Sequence, residues 1–133
     1  MALRRKRLPP NLESRRRAFD GLVAELERAK AALTEAVPGT RMPGRPLAEC
    51  LVGFEDGLHA VQRGMDLWRS PELEQVWVGA SEGLGAALAL AERVRVQGRE
   101  PVGFEGLIEL IGELLAPLEA FTAAVERFRS LRV

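Results

Sequence analysis

The sequence predicts an all-α fold, an up-down-up-down antiparallel four-helix bundle with a short basic N-terminal arm and a proline kink in the last helix. Four stretches repeat apolar residues at alternating spacings of three and four, which lines one side of a helix with core residues. Short breaks rich in proline or glycine separate the stretches, and short connections favour antiparallel neighbours. With 133 residues, we expect a single domain.

The basic arm is predicted at residues 1–10, ahead of a bundle at 11–133, and it ends in two prolines. A residue before proline is disfavoured in the helical region, so we expect an extended arm. Asn11 is a favourable N-cap residue, and the apolar pattern after it predicts a first helix over about 12–37. The Pro-Gly pair at 38–39 ends this helix.

The second stretch has the clearest pattern and predicts a helix over about 46–69. Its apolar residues are Leu47, Leu51, Phe54, Leu58, Val61, Met65 and Trp68. Ser70, Pro71 and Glu72 follow, and they supply a capping hydroxyl, a proline suited to a first helical turn and an acid beside the helix N-terminus. A third helix over about 71–97 therefore starts after a very tight turn.

The fourth helix is predicted over about 103–131. Its apolar residues are Phe104, Leu107, Ile111, Leu114, Leu118, Phe121, Val125 and Phe128. Pro117 lies inside this pattern. Because proline has no backbone N–H to donate to the carbonyl of Glu113 and its ring clashes with that carbonyl, we predict a kink or short break there.

Small residues recur every seven positions beside the stripe of the second helix, at Cys50, Gly57 and Gly64. A glycine costs about 1 kcal/mol relative to alanine in an exposed helix interior, so a compensating contact is expected. We interpret the row as a seam where two helices approach closely. A locally soft region that opens for a ligand or partner is the alternative.

Few residues in the sequence could carry catalytic or ligand-binding chemistry. We therefore predict no catalytic, cofactor-binding or metal site and no enzymatic activity. His59, the only histidine, follows Glu55 and Asp56, and all three are expected on the solvent side of the second helix. Cys50 has no histidine nearby that could act as its base, which favours a packing role. Three glutamates recur every four residues in the fourth helix and are interpreted as its wet face: Glu105, Glu109 and Glu113.

The net charge of zero hides an uneven distribution. Residues 1–17 contain seven basic side chains and one acidic, whereas the remainder contains 12 basic and 18 acidic. In the predicted topology the start of the first helix, the turn after the second and the end of the fourth meet, which makes that end basic. The candidate partner surface comprises Arg4, Arg5, Lys6, Arg7, Arg15, Arg16, Arg17, Arg69, Arg127 and Arg129.

Three interpretations of this basic surface stay open. An acidic surface, either of a protein or of lipid headgroups, is one, because clustered positive charge attracts acidic surfaces. Nucleic acid is the second, bound through phosphate contacts, although no aromatic residue before Phe19 offers a platform for base stacking. A solubilising tail without a partner is the third.

The third and fourth helices carry more apolar residues than one stripe requires, which predicts a second buried side. We expect a homodimer, the commonest form of self-association. The candidate interface comprises Leu84, Leu88, Leu90, Ile108, Leu110 and Leu115. Irregular packing around Pro117 is the competing explanation.

The sequence contains seventeen arginines and two lysines, which is typical of a GC-rich bacterial genome. The single cysteine favours the cytoplasm. No apolar run is long enough to predict a membrane span. The resulting hypothesis is a small bacterial, non-catalytic interaction or scaffold protein that self-associates. A nucleic-acid-associated accessory protein is the alternative, and a small-ligand-binding bundle is the third. A four-helix bundle alone does not distinguish these classes.

Overall fold

A computed structural model of the chain describes residues 7–39, 41–98 and 100–132. Within these residues the chain forms four helical rods that pack against one another along their length, and no strand is present. The predicted antiparallel four-helix bundle is confirmed.

The rods follow the predicted order, with short 3₁₀ segments at three places. The first is α1 (Pro10–Thr34), and the second is α2 (Leu47–Gly64), which continues as a 3₁₀ turn (Met65–Trp68). A further 3₁₀ turn (Pro71–Leu73) leads into α3 (Glu74–Gln97). The fourth rod comprises α4 (Gly103–Leu115), a 3₁₀ turn (Ala116–Glu119) and α5 (Ala120–Ser130).

The start of α1 differs from the prediction. The helix begins at Pro10 with Pro9 in the N-cap position, and no side chain caps it, so the expectation for Asn11 was wrong. Proline suits the first helical turn because the N–H groups there have no acceptor within the helix. Leu8 is 6 % exposed and packs into the core, so the basic arm is shorter than predicted. Residues 1–6 lie outside the described part of the chain.

The tight α1–α2 seam explains the small residues of α2. A Cβ atom added to Gly57 would lie 2.6 Å from the Cβ of Ala29, and one added to Gly64 would lie 2.6 Å from a methyl group of Leu22. Both distances are too short for real side chains. The close approach predicted from the seven-residue repeat is therefore present. Contacts between the closely packed helices α1 and α2 compensate for the low helix propensity of these glycines.

The predicted kink is present at Pro117, where the fourth rod changes to a 3₁₀ turn between α4 and α5. A Cβ atom on Gly83 would lie 2.2 Å from the carbonyl oxygen of Pro117. Glycine at position 83 therefore lets α3 pass directly against the backbone of the kink.

The buried face of α4 differs from the predicted stripe. Phe104, expected in the core, is 58 % exposed, whereas Leu110 is 4 % exposed and packs beside Ile111 and Leu114. Burial along α4 begins with the partly covered Leu107 and is complete only at Leu110. The first turn of α4 thus leaves Phe104 uncovered.

Candidate functional site at the basic end of the bundle

Two long-range hydrogen bonds bring the predicted basic regions together. Arg15 Nε on α1 donates to the carbonyl oxygen of Arg69 in the α2–α3 turn at 3.1 Å. Arg127 Nε on α5 donates to the carbonyl oxygen of Glu72 in the same turn, also at 3.1 Å. The start of α1, this turn and the end of α5 therefore share one end of the molecule, named here the basic end.

An aromatic cluster lies beneath this surface and fixes its shape. The Phe19 ring packs edge-on against Trp68, with centroids 4.8 Å apart, and lies 5.0 Å from the Phe128 ring. All three side chains are at most 1 % exposed. Because they come from α1, the end of the second rod and α5, they hold together the three elements that carry the arginines. Arg16 lies 5.7 Å from the centroid of Phe128.

Four arginine side chains line one open depression of about 720 Å³, named here the arginine depression. They are Arg7, Arg16, Arg17 and Arg132, and Leu8, Pro10 and Glu13 complete the lining. Arg16 also pairs with Asp20 at 2.9 Å. Within the described part of the chain, Arg17 and Arg132 form no ion pair, so their charge is available to a partner.

Arg15 and Arg127 are positioned by backbone carbonyl oxygens, and Glu72 lies close to both. The pKa of Glu72 is lowered, chiefly by its own backbone N–H, with smaller contributions from Arg15 and Arg127. Ser70 occupies the predicted cap position, but its side chain makes no capping hydrogen bond. The turn is instead closed by the Leu73 N–H, which donates to the Ser70 carbonyl at 3.0 Å.

Two other predicted surface residues are paired with acids inside the chain. Arg69 donates two hydrogen bonds to Glu74, at 3.0 and 2.6 Å, and its guanidinium lies 3.9 Å from the centroid of Trp77. Arg129 pairs with Glu126 at 3.0 Å. Their charges are therefore less available than those of the arginine depression. Arg4, Arg5 and Lys6 lie outside the described residues.

The candidate dimer interface is only partly at the surface. Leu84 and Leu110 are 1 % and 4 % exposed within the single chain, so they are core residues, and their place in the candidate interface was wrong. Leu84 belongs to the stripe that α3 turns toward the bundle interior, between the buried Ala80 and Ala87. Ile108 is 43 % exposed. The remaining members, Leu88, Leu90 and Leu115, are half-buried.

One polar contact was not anticipated from sequence. Glu55, expected on the solvent side of α2, is 8 % exposed and accepts a hydrogen bond from Arg95 Nε at 2.8 Å. The bond links α2 to α3 beside a depression that His59 also lines. Because Glu55 and Arg95 are forty positions apart, no periodic pattern in the sequence indicates their contact. Only knowledge of how α2 packs against α3 could have predicted it. We interpret the contact as structural.

The other predicted chemical groups show no assembled site. Cys50 is buried, and burial raises the pKa of its thiol, which opposes formation of the reactive thiolate. In residues 7–39, 41–98 and 100–132, no group of three or more His, Cys, Asp or Glu side chains is arranged to hold a metal ion.

A scan against protein-family models, a search of curated proteins and a search of solved structures find no match to this chain. None of the helices in the described ranges combines the length and apolar content needed to cross a bilayer. The geometry of the chain's own surfaces therefore carries the functional argument.

Proposed function

We propose that the protein is a non-catalytic interaction protein whose basic end binds an acidic surface of another protein. The observation that carries the proposal is the arginine depression. Guanidinium groups from the start of α1 and from beyond α5 line one open depression, and the lining contains a single acid, Glu13. Guanidinium groups bind carboxylates through paired hydrogen bonds, which suits a surface rich in Asp and Glu.

The aromatic cluster supports a rigid platform for this binding. Phe19, Trp68 and Phe128 are buried beneath the arginines. The backbone positions of the arginines are therefore fixed before a partner binds. The same burial argues against binding of single-stranded nucleic acid by base stacking, because these three rings are covered. Trp77, in the first turn of α3, is half-buried and lies against the guanidinium of Arg69.

Self-association is part of the proposal, through a surface that keeps Ile108 of the predicted interface and adds Phe104. Leu84 and Leu110 are excluded by burial, whereas Phe104 and Ile108 lie one helical turn apart on α4 and are 58 % and 43 % exposed. Large apolar side chains exposed together are typical of association surfaces.

The test measures binding of a glutamate-rich peptide and of duplex DNA over a salt titration. Replacing Arg17 and Arg132 together with glutamine is expected to weaken peptide binding about tenfold, a change of roughly 1.4 kcal/mol. The matched control replaces Arg41 and Arg93, two exposed arginines outside the depression, and is expected to bind as the unaltered chain does. Thermal melting checks that each variant is folded.

Two outcomes would overturn the proposal. One is the absence of peptide binding at low salt. The other is an equal loss of binding in the control, which would mean that net charge rather than the arginine depression is recognised. Binding of duplex DNA without binding of the peptide would replace the acidic protein partner with nucleic acid, and its affinity should then fall steeply with salt.

A further inference from the structure

The stretch from residue 100 to 126 contains six acidic side chains and no basic one. Within it, a depression of about 180 Å³, named here the acidic groove, is lined by the carboxylates of Glu100, Glu109 and Glu113. Pro101 and Val102 contribute apolar surface, and Val102 is 90 % exposed. No ion pair involving the three glutamates occurs among the described side chains. Among the described residues the groove thus offers negative charge that no ion pair neutralises, beside the exposed side chain of Val102.

The chain contains one segment with the complementary chemistry. Residues 3–8 read Leu-Arg-Arg-Lys-Arg-Leu, four consecutive cations between two leucines. The charge of residues 1–17 is +6, from seven basic and one acidic side chain, and that of the remainder is −6, from 12 basic and 18 acidic side chains. The molecule is therefore electrostatically matched to a second copy of itself, with opposite charges concentrated on different parts.

The cations of this segment cannot reach the acidic groove of their own chain. Leu8 is buried at the basic end and lines the arginine depression together with Arg132. Arg132 is twenty-three residues beyond Glu109, at the middle of the acidic groove, which corresponds to about 34 Å along the fourth rod. Arg4 is four residues from Leu8, a span of about 14 Å at full extension. An arginine side chain is too short to bridge the remaining gap.

We propose that the acidic groove binds the basic segment at residues 3–7 of a second copy of the chain. The inference rests on the proposed function, because it also uses the basic region as a recognition element, but it adds the partner and the receiving surface. Arginine and lysine side chains pair with the three glutamates, and Leu3 covers apolar surface near Val102.

The test is sedimentation velocity of the full chain from micromolar to millimolar concentration, at low and high salt. The unaltered chain is expected to associate, and salt is expected to weaken the association. The groove variant E109K/E113K should be monomeric where the unaltered chain associates, with affinity reduced roughly tenfold or more. The control D56K/E82K has the same change in net charge on exposed helix positions outside the groove, and it should associate normally.

Charge exchange between two variants gives the decisive measurement. The segment variant R4E/R5E should also be monomeric alone. Mixed with E109K/E113K, it should form a heterotypic complex, because the unaltered basic segment of the groove variant then meets the unaltered acidic groove of the segment variant. The glutamates introduced at positions 4 and 5 also face the lysines introduced at positions 109 and 113. A merely structural defect in either variant would not be repaired by mixing.

Three outcomes would overturn the inference. They are a monomeric unaltered chain at all concentrations, unchanged association of either charge variant, and loss of association in the control. The groove variant leaves the arginine depression intact, so its binding to a glutamate-rich peptide should equal that of the unaltered chain. If the unaltered chain self-associates but does not bind the glutamate-rich peptide, the proposed function is rejected and the inference about the acidic groove is retained.

Discussion

The two ends of the bundle differ in how their aromatic residues are used. At the basic end, Phe19, Trp68 and Phe128 come from three elements and are at most 1 % exposed. At the opposite end, where α4 begins, Phe104 is 58 % exposed and Val102 is 90 % exposed. Leu67 at the basic end is also exposed, at 68 %, so the contrast lies in the aromatic layer rather than in every apolar residue.

This difference is consistent with a separate proposed role for each end of the bundle. The buried aromatic layer holds three chain segments together and thereby fixes where Arg15, Arg16 and Arg127 lie. At the opposite end no such layer covers the first turn of α4, and apolar surface remains beside the carboxylates of the acidic groove. The proposed binding of an acidic partner needs a charged surface held in place by buried rings. The proposed binding of a chain segment needs uncovered apolar surface beside carboxylates.

The largest expected effect compares one aromatic residue from each end. Trp68→Ala removes a fully buried side chain and should lower the free energy of unfolding by about 3–5 kcal/mol. Phe104→Ala removes a largely exposed side chain and should change the free energy of unfolding by less than about 0.5 kcal/mol. Urea unfolding followed by circular dichroism measures both at a concentration where the chain is monomeric.

Should Trp68→Ala fail to fold, Phe128→Leu provides a milder substitution in the same layer and should still destabilise more than Phe104→Leu. Equal losses of stability at the two ends would show that the aromatic residues are packed alike.

An intermediate effect is expected at the kink, which separates the acidic α4 from the tightly packed α5. Gly83→Ala places a methyl group against the carbonyl oxygen of Pro117 and should destabilise the protein by about 1–3 kcal/mol. Gly85→Ala, two positions along the same helix, meets no atom within 4 Å and should stabilise it by up to about 1 kcal/mol. Thermal unfolding distinguishes the two signs, and stabilisation by both substitutions would show that α3 does not contact the kink.

The smallest effect concerns pH at the α2–α3 turn. The pKa of Glu74 is lowered, mainly by hydrogen bonds from Arg69, below its ordinary value of 4.5. A lowered pKa means that this ion pair stabilises the fold above pH 4.5, and that the contribution is lost as the pH falls through the folded-state pKa. Carboxyl NMR titration should show the Glu74 pKa rising in Arg69→Gln, while an unchanged value would remove Arg69 as the cause.

Periodicity predicted the architecture because most of the core follows local repeats. The stripe from Leu51 to Trp68 is buried as expected, and the covalent properties of Pro117 alone were sufficient to predict the kink. The seven-residue repeat that includes Gly57 likewise predicted a close approach between helices. These features are encoded within single segments, where spacing and side-chain size specify which face is covered.

The candidate site was predictable only in part. The clustering of arginines at one end follows from charge counts and helix order, and the structure brings Arg15 and Arg127 to the same turn. The sequence could not show that Arg69 pairs with Glu74 while Arg17 and Arg132 stay unpaired within the described residues. Which carboxylate reaches which guanidinium depends on rotamers and on the exact approach of neighbouring segments.

The sequence by itself determined four amphipathic helices, their order, the kink and the separation of positive from negative charge, because each depends on residues close together along the chain. Only the tertiary structure decided that Leu84 and Leu110 are internal, that Phe104 is uncovered and that Glu55 is buried against Arg95. Those outcomes depend on how far each helix extends past its neighbours and how it is rotated toward them. Rotation and extension result from packing between distant segments, which no local pattern records.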